Sequence, residues 1–320
     1  MFRTALCLVV CAAWTSGLFA APPQEEVVQG LYEGTLKDAK GEQKVEARVV
    51  ALGKNAYKIF LRRQLANGKV ATAELDGKTA GDAVTFAGKI DGADWSAAYG
   101  DGAVKGTSPA GGRIELKRVV RQSPTLGEKP PSGAVVLLDG KNFDELAKKS
   151  DQEWKLVDGG VEIPKGGMNA KRRFDGSFKM HVEFFIPFRP AARGQGRGNS
   201  GVYLPNGDEI QVLDSFGMTT YKGGGCGGLY AYKDPDPFDQ FSLASLPPLV
   251  WQTYDIEYRV AKKDGKPAGK PRVTAMHNGI KIHDNVELQR DARAGGFHFQ
   301  DHGNPVRYRN IWVLPVENGK

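Results

Sequence analysis

The chain has 320 residues, of which 40% are hydrophobic and 9% aromatic, so it is long enough for two domains with packed cores. This composition excludes a wholly disordered chain, and the 41 glycines and 18 prolines show no fixed period, which excludes a collagen-like fibre. The formal net charge of +7 comes from scattered basic residues among nearly as many acidic ones. That distribution argues against a surface that binds nucleic acid.

The first residues have the pattern of an export signal. Arg3 precedes an apolar stretch from Ala5 to Trp14, and small residues follow before Pro22. The stretch is shorter than the ~18 apolar residues of a spanning helix, and no later stretch reaches that length. The sequence therefore predicts a signal peptide at residues 1–21 and an exported protein without a membrane span.

Residues 27–120 predict a β-rich accessory domain. Short alternating segments are separated by turn residues, which favours antiparallel strands. The predicted strands are Leu31–Leu36, Lys44–Leu52, Tyr57–Leu61, Val70–Leu75, Ala83–Ile90 and Arg113–Val119. Because this part has no histidine and no acidic cluster, the sequence assigns it no chemistry, and its partner stays unknown.

Residues 121–133 predict a linker, since they contain three prolines and two glycines between two apolar regions. The second domain, residues 134–320, contains all five histidines. We expect a short helix near Phe143–Lys149 and then strands, whose apolar and polar residues alternate. The pattern predicts an all-β chain whose C-terminal domain is a sandwich of antiparallel sheets.

Two segments of this domain place chemically useful residues on one strand face. In residues 208–214 the apolar side chains belong to the core, so Glu209 and Gln211 project from the opposite face. In residues 296–303 the phenylalanines belong to the core, and alternate polar side chains point away. Those polar side chains are His298, Gln300 and His302.

Six short motifs then become recognisable in chain order. They are Leu138–Asn142, Gly198–Leu204, Glu209–Asp214, Gly228–Tyr230, Phe299–Gly303 and Arg307–Ile311. Together they resemble the 3-keto-disaccharide hydrolase domain family of exported bacterial proteins, over about Val135–Pro315. The resemblance implies a concanavalin-like jelly roll and activity on glycosides oxidised at sugar carbon 3, while the predicted signal peptide implies a periplasmic or extracellular location. One departure is that the tryptophan expected soon after the first motif comes only at Trp154.

Such a substrate needs one base rather than two carboxylates. The ketone acidifies the hydrogen on carbon 2, so a base can remove it, the carbon 1 group can leave, and water can then add. A retaining glycosidase needs a second carboxylate close to the first, whereas Asp214 faces away from Glu209. The general base is therefore His302 or Glu209. The predicted substrate-binding residues are Gln211, Asn199, Gln300, Arg309, Tyr230 and His298.

Two alternatives stay open at this point. Glu209, Gln211 and His302 have side chains that could instead bind a divalent metal, which would polarise the ketone. No other cofactor is indicated. The domain could also be a non-catalytic, lectin-like carbohydrate-binding module of the cell envelope, because jelly rolls often bind sugars without cleaving them. In either case the predicted partner is a carbohydrate and not a nucleic acid.

Two glycine-rich segments, residues 196–201 and 223–228, match the spelling of a nucleotide-binding turn. Strand-like residues follow both, so the required helix is missing, and we expect these loops to edge the sugar pocket. Candidate sugar contacts on or near them are Arg189, Arg193, Arg197, Tyr221 and Lys222. Cys226 is expected to be a free cysteine in a flexible loop. His277 and His283 are expected to be exposed. His181 and Glu183 share a polar strand face and rank below His302 as candidate site residues.

Overall fold

A computed structural model of the chain describes residues 23–65, 67–217, 220–236 and 244–316. Within these ranges the regular secondary structure is almost entirely β-strand, with a four-residue helix at Glu25–Val28 and a 3-10 turn at Gly194–Gly196. The predicted signal peptide lies outside the described residues. No helix in the described ranges is long and apolar enough to span a membrane.

The first eight strands close into an antiparallel barrel, in which each strand pairs with the next and the eighth pairs with the first. They are β1 (Gly30–Asp38), β2 (Gly41–Gly53), β3 (Ala56–Gln64), β4 (Val70–Ala80), β5 (Ala83–Ile90), β6 (Ala93–Gly100), β7 (Ala103–Thr107) and β8 (Arg113–Val119). Alternate apolar side chains fill the barrel interior. All six predicted strands are present. Strands β6 and β7 were not predicted, because their alanines, glycines and serine give little alternation of polarity.

The strands that follow β8 in the described residues form two antiparallel sheets. They are β9 (Val135–Leu138), β10 (Leu146–Lys148), β11 (Lys155–Val157), β12 (Gly160–Glu162), β13 (Met168–Ala170), β14 (Ser177–Phe185), β15 (Ser200–Tyr203), β16 (Glu209–Val212), β17 (Trp251–Lys263), β18 (Lys266–His277), β19 (Ile280–Glu287), β20 (His298–Phe299) and β21 (Arg307–Val316). The five-stranded sheet has the order β10-β13-β20-β15-β16. The larger sheet has the order β11-β12-β21-β14-β17-β18-β19, and β9 pairs with β21.

One core is packed between these two sheets. Phe178, Phe184 and Tyr254 from the larger sheet and Val202 and Phe299 from the five-stranded sheet are fully buried in it. Burying side chains of this size supplies the main stabilising free energy of such a sandwich. The predicted fold class, an all-β chain with a jelly-roll-like sandwich, is confirmed.

The helix predicted near Phe143–Lys149 is wrong, because this segment is a turn followed by β10. The Asp139 carboxylate accepts hydrogen bonds from the backbone N–H groups of Lys141 (2.8 Å) and Asn142 (2.7 Å). Bonds of this kind offer the backbone an alternative to helical hydrogen bonding. The strand that follows pairs with β13 in the five-stranded sheet.

The expectation that His277 and His283 are exposed is also wrong, since both are 1% exposed. The His277 imidazole contacts the Gln252 side-chain oxygen at 2.9 Å, and His283 contacts the backbone oxygen of Gly227 at 2.7 Å. Burial lowers the pKa of His277 to about 3 and that of His283 to about 4. His277 was predicted to be exposed because it adjoins a turn. However, it lies two residues after the buried Ala275 on β18, and alternate residues of a strand share a face.

The predicted linker is bound along the outer face of the larger sheet. The Ser123 hydroxyl lies 2.6 Å from the Thr253 hydroxyl, and the Thr125 hydroxyl donates to Asp255 at 2.6 Å. Further along, the backbone N–H of Gly127 donates to a Glu183 oxygen. Side-chain hydrogen bonds thus fix the segment that joins the barrel to the sandwich.

His181 lies beneath this linker, fully buried and stacked on Trp312 with ring centroids 5.4 Å apart. Its Nδ1 is 2.6 Å from Asp255 Oδ1, and its Nε2 is 3.4 Å from Glu183 Oε1. Burial opposes the charge on His181, but hydrogen bonds with Asp255 and Glu183 outweigh it and raise its pKa to about 9. A protonated imidazole between two acids therefore joins the linker to the sheet.

We expect His181→Gln to destabilise the fold by about 3 kcal/mol at pH 6, because Asp255 and Glu183 then lose the buried cation between them and Glu183 keeps only its ion pair with Arg309. The folded-state pKa of His181 is raised from 6.5 to about 9. The stabilisation of the fold by the charged His181 imidazole is therefore fully present below pH ~6.5 and is lost as pH rises through about 9. Urea unfolding at pH 6 and pH 9.5 should show that the difference in the free energy of unfolding between wild type and variant is smaller at the higher pH.

The matched control is His302→Gln, because His302 is an exposed histidine. It should leave the free energy of unfolding unchanged at both pH values. A gap between wild type and His181→Gln that is the same at pH 6 and pH 9.5 would contradict a protonated His181.

Candidate active site

A row of four polar side chains crosses four neighbouring strands of the five-stranded sheet. Asn169 on β13 lies opposite His298 on β20, His298 opposite Tyr203 on β15, and Tyr203 opposite Glu209 on β16. The adjacent row of residues belongs to the core. Because side chains alternate along a strand, the polar row lies on the face turned away from the core.

A tight turn joins β15 to β16 and sets this register. Gly207 has φ +92°, a conformation that suits glycine, and its N–H donates to the backbone oxygen of Leu204 at 2.8 Å. The Asn206 side chain donates to Asp208 at 2.7 Å within the same turn. The hairpin therefore presents Tyr203 and Glu209 side by side.

Glu209 is 7% exposed, and its carboxyl group lies over the backbone of Gly201. A β-carbon at position 201 would overlap Glu209 Oε1. Burial raises the pKa of Glu209 to about 7, and a hydrogen bond with Tyr203 offsets only part of this effect. Near neutral pH both protonation states are populated, which is what a group that accepts and returns a proton requires.

Two further members of this face flank Tyr203. The Gln300 side-chain nitrogen donates to the Tyr203 hydroxyl at 3.3 Å, so its oxygen is turned away from Tyr203. That oxygen is buried and has no hydrogen-bond partner in the described part of the chain. On the other side, His298 Nδ1 lies 2.9 Å from Asn169 Oδ1, and burial lowers the pKa of His298, which favours a neutral imidazole.

Gln195 connects Asn199 and Gln211, two of the predicted substrate-binding residues. Its side-chain oxygen accepts hydrogen bonds from Asn199 Nδ2 (2.9 Å) and Gln211 Nε2 (2.8 Å), while its nitrogen donates to the Gly224 backbone oxygen (2.9 Å). Asn199 Nδ2 also donates to the Gln195 backbone oxygen. Asn199 Oδ1 is then left buried without a partner among the described residues.

Three residues of the candidate site, Gln195, Tyr203 and Asn169, were not predicted from the sequence. Tyr203 and Asn169 alternate with core residues along their strands and so lie on the same face as Glu209. The alternation of polar and apolar residues could therefore have identified them. Gln195 lies in a 3-10 turn between two glycines, where no periodicity indicates the direction of a side chain.

Residues 221–230 form the loop that covers the edge of β16. The backbone N–H of Tyr230 donates to the backbone oxygen of Glu209 at 3.0 Å. The backbone N–H of Gln211 donates to the backbone oxygen of Gly228 at 2.8 Å. The Tyr221 hydroxyl donates to the Tyr230 hydroxyl at 2.8 Å, and the two half-exposed rings meet edge to face. Partly exposed aromatic rings beside a buried carboxyl group offer an apolar surface with polar tips, which suits a sugar ring.

Two residues of the glycine-rich segments are buried rather than at the rim. Cys226 is 5% exposed, with its sulfur 3.1 Å from the Tyr254 hydroxyl, and burial raises the pKa of the thiol to about 11. The expectation of a flexible loop at Cys226 is therefore wrong. Arg197 is fully buried in an ion pair with Asp214 at 2.8 Å, so it does not reach a sugar at the surface.

Among the described residues, no hydrogen bond or ion pair joins His302 or Arg309 to Glu209. His302 is exposed in the loop after β20, and its side chain makes no hydrogen bond with the described residues. Arg309 lies on the larger sheet, where it pairs with Glu183 at 2.7 Å and its guanidinium is 4.0 Å from the Trp251 ring centre. Its neighbour Tyr308 is in the core, so Arg309 points to the outer face of that sheet.

In the described ranges, the group of His, Cys, Asp and Glu side chains close enough to hold a metal lies elsewhere. It comprises Glu128, His181 and Asp255, whose ligand atoms lie within 4.8 Å of one another beside the linker. Glu209 and His302 do not belong to such a group. A metal held by Glu209, Gln211 and His302 stays a prediction.

We expect Gly201→Ala to displace the Glu209 carboxyl group, because the added methyl group would overlap it. Water would then reach the carboxylate, and its pKa should fall from about 7 toward the ordinary value near 4.5. Carbon-13 NMR titration of the glutamate carboxyl signals measures this shift. Gly100→Ala, where a β-carbon meets open space, is the control, and an unchanged Glu209 titration in Gly201→Ala would contradict the placement.

The chain is similar to known carbohydrate-active proteins. A family model described as the 3-keto-alpha-glucoside-1,2-lyase-like domain matches residues 133–314. A solved structure from Parabacteroides distasonis, described as a candidate glycosyl hydrolase, is 32% identical, covers 58% of this chain and 85% of its own, and has a TM-score of 0.50. None of the curated proteins is significantly similar. Both matches are to carbohydrate-active proteins, and because the family model covers more than half of the chain, the chain belongs to the 3-keto-alpha-glucoside-1,2-lyase-like domain family.

Proposed function

We propose that this chain is an exported enzyme that cleaves 3-keto-glycosides, with Glu209 as the general base. The observation that carries the proposal is the buried carboxyl group of Glu209, whose pKa of about 7 suits proton transfer near neutral pH. Family membership supports the substrate class. The signal-like residues 1–21 support export.

The reaction proceeds in two stages. Glu209 takes the proton from carbon 2, and the C–H electron pair becomes the enolate of the carbon 3 ketone. As the enolate collapses, a double bond forms between carbons 1 and 2, the bond from carbon 1 to the leaving oxygen breaks, and that oxygen takes a proton. Water then adds its oxygen to carbon 1 and a proton returns to carbon 2, so the net change is hydrolysis.

The neighbouring side chains divide into acceptors and donors. The side-chain oxygens of Asn199 and Gln300 have no hydrogen-bond partner among the described residues, and because such buried acceptors are costly, the proposal assigns them to sugar hydroxyl groups. Gln211 Nε2 keeps one hydrogen beyond the one that it donates to Gln195. The Tyr230 hydroxyl accepts from Tyr221 and keeps its own hydrogen. These two donors are suited to hold the enolate oxygen.

The acids nearest to Glu209 in sequence are engaged elsewhere. Asp208 accepts a hydrogen bond from Asn206, and Asp214 is paired with Arg197. In the described residues, the polar row therefore offers Glu209 no second carboxylate of the kind that an ordinary retaining glycosidase uses. This supports an elimination on a keto sugar over direct displacement on an unoxidised glycoside.

The test is release of sugar by the mature protein, residues 22–320, from a 3-keto-glucoside and from its unoxidised parent, each with and without a chelator. The proposal expects turnover of the keto substrate alone. Loss of turnover with chelator would favour the metal alternative through Glu209, Gln211 and His302. Binding of either sugar without cleavage would favour the lectin-like alternative and remove the proposed base.

Glu209→Gln should lower kcat/KM for the keto substrate by at least about 100-fold, because an amide cannot accept the proton. In the wild type, kcat/KM should rise with pH through about 7, since the base must be ionised and its pKa is raised to about 7. Initial rates from pH 5 to pH 9 measure both effects.

Glu162→Gln is the matched control, because Glu162 lies on the larger sheet in a pair with Lys155. It should keep wild-type rates and the same pH profile. A pH profile without a limb near 7, or a Glu209→Gln variant as active as Glu162→Gln, would transfer the role of base to another group, with His302 first.

A further inference from the structure

The barrel and the sandwich share an apolar contact of buried side chains. The cluster contains Leu31, Val50 and Phe60 from the barrel and Phe216 and Leu246 from the sandwich. The Arg48 guanidinium of the barrel also lies 4.9 Å from the centre of the Phe216 ring. A contact of fully buried side chains is expected to fix the two parts relative to each other.

Two segments of the sandwich receive these contacts. The arm, residues 188–197, leads into β15, and the exit turn, residues 213–217, follows β16. Phe188 of the arm packs against the barrel core, and Arg193 donates a hydrogen bond to the Leu52 backbone oxygen at 2.7 Å. In the exit turn, a β-carbon at Gly217 would overlap the Val50 side chain.

The barrel packs closely against the arm at Gly53. Gly53, with φ +79°, lies so near the arm that a β-carbon there would come within 2.7 Å of Ala191 Cα. The arm and the exit turn are also tied to each other, because Arg197 and Asp214 form a buried ion pair and the Asp214 N–H donates to the Arg197 oxygen. The barrel therefore contacts one end of the β15–β16 hairpin through two linked segments.

The arm also carries Gln195, whose side chain binds Asn199 and Gln211. We propose that the N-terminal barrel clamps the β15–β16 hairpin through the arm and the exit turn, and that Gln195 is the positioning residue through which this clamp orients Asn199 and Gln211. The docking is independent of the reaction, whereas its effect on turnover rests on the proposed function. The barrel then acts as a structural part of the active site.

Hydrogen exchange in the ligand-free mature protein tests the clamp without reference to activity. Arg193→Ala removes the hydrogen bond to Leu52 together with those to the backbone oxygens of Pro190 and Ala192 in the arm, and amides in residues 188–201 should exchange about tenfold faster. Arg193→Lys, which can still donate to the Leu52 oxygen, should restore slow exchange. Arg173→Ala is the control, because Arg173 likewise donates to a backbone oxygen, that of Ala294, far from the arm.

Kinetics on the keto substrate test the role of Gln195. Gln195→Ala should raise KM about tenfold while the pH limb near 7 stays in place, because substrate contacts are lost and the base is not. Arg193→Ala should raise KM in the same direction, and the two effects should be less than additive in the double variant, because they act through one segment.

Unchanged exchange in Arg193→Ala, or equal acceleration in Arg173→Ala, would overturn the clamp. Lower thermal stability with unchanged KM in Gln195→Ala would overturn the positioning role. If the wild type cleaves no keto-glycoside, the proposed function fails, and the exchange measurements still decide whether the barrel holds the hairpin.

Discussion

Burial of the Glu209 carboxyl group over Gly201 is the interaction on which the site depends. A side chain at position 201 would occupy the space of the carboxyl group, so the glycine allows Glu209 to lie flat against β15. The Tyr203 hydroxyl is its hydrogen-bond partner, and the loop of residues 221–230 covers the strand edge. Together these contacts remove water from a single acid, and the loss of hydration raises its pKa into the range useful for proton transfer.

The outer faces of the two sheets of the sandwich carry different groups of polar residues. The five-stranded sheet carries the polar row with Glu209, while the outer face of the larger sheet binds the linker through His181 and its two acids. Tyr308 shows how the core separates them, because its hydroxyl bonds to Ser200 of the smaller sheet while Arg309, one residue on, points outward. The contacts of Arg309 are therefore with Glu183 and Trp251 on the larger sheet, and the proposed base lies on the other sheet.

Strand alternation predicted which residues share a face, and so it identified Glu209 with Gln211 and His298 with Gln300. It could not predict which strands are neighbours, because register across a sheet is set by turns and core packing. Arg309 was grouped with the site because of its motif. However, an apolar Tyr308 in the core already indicated that its neighbour Arg309 points to the outer face of the larger sheet. Gln195 had no periodic signal at all, since a 3-10 turn between glycines fixes its direction only in the folded chain.

The most direct test of the account uses a 3-keto-glucoside that carries deuterium at carbon 2. If Glu209 removes that hydrogen, the deuterium passes to the carboxyl group and exchanges with solvent, so mass spectrometry of the released 3-keto sugar should show hydrogen at carbon 2. Labelled product incubated without enzyme corrects for spontaneous exchange beside the ketone. Full retention of deuterium in the enzymatic product would contradict proton abstraction by Glu209 and with it the central claim.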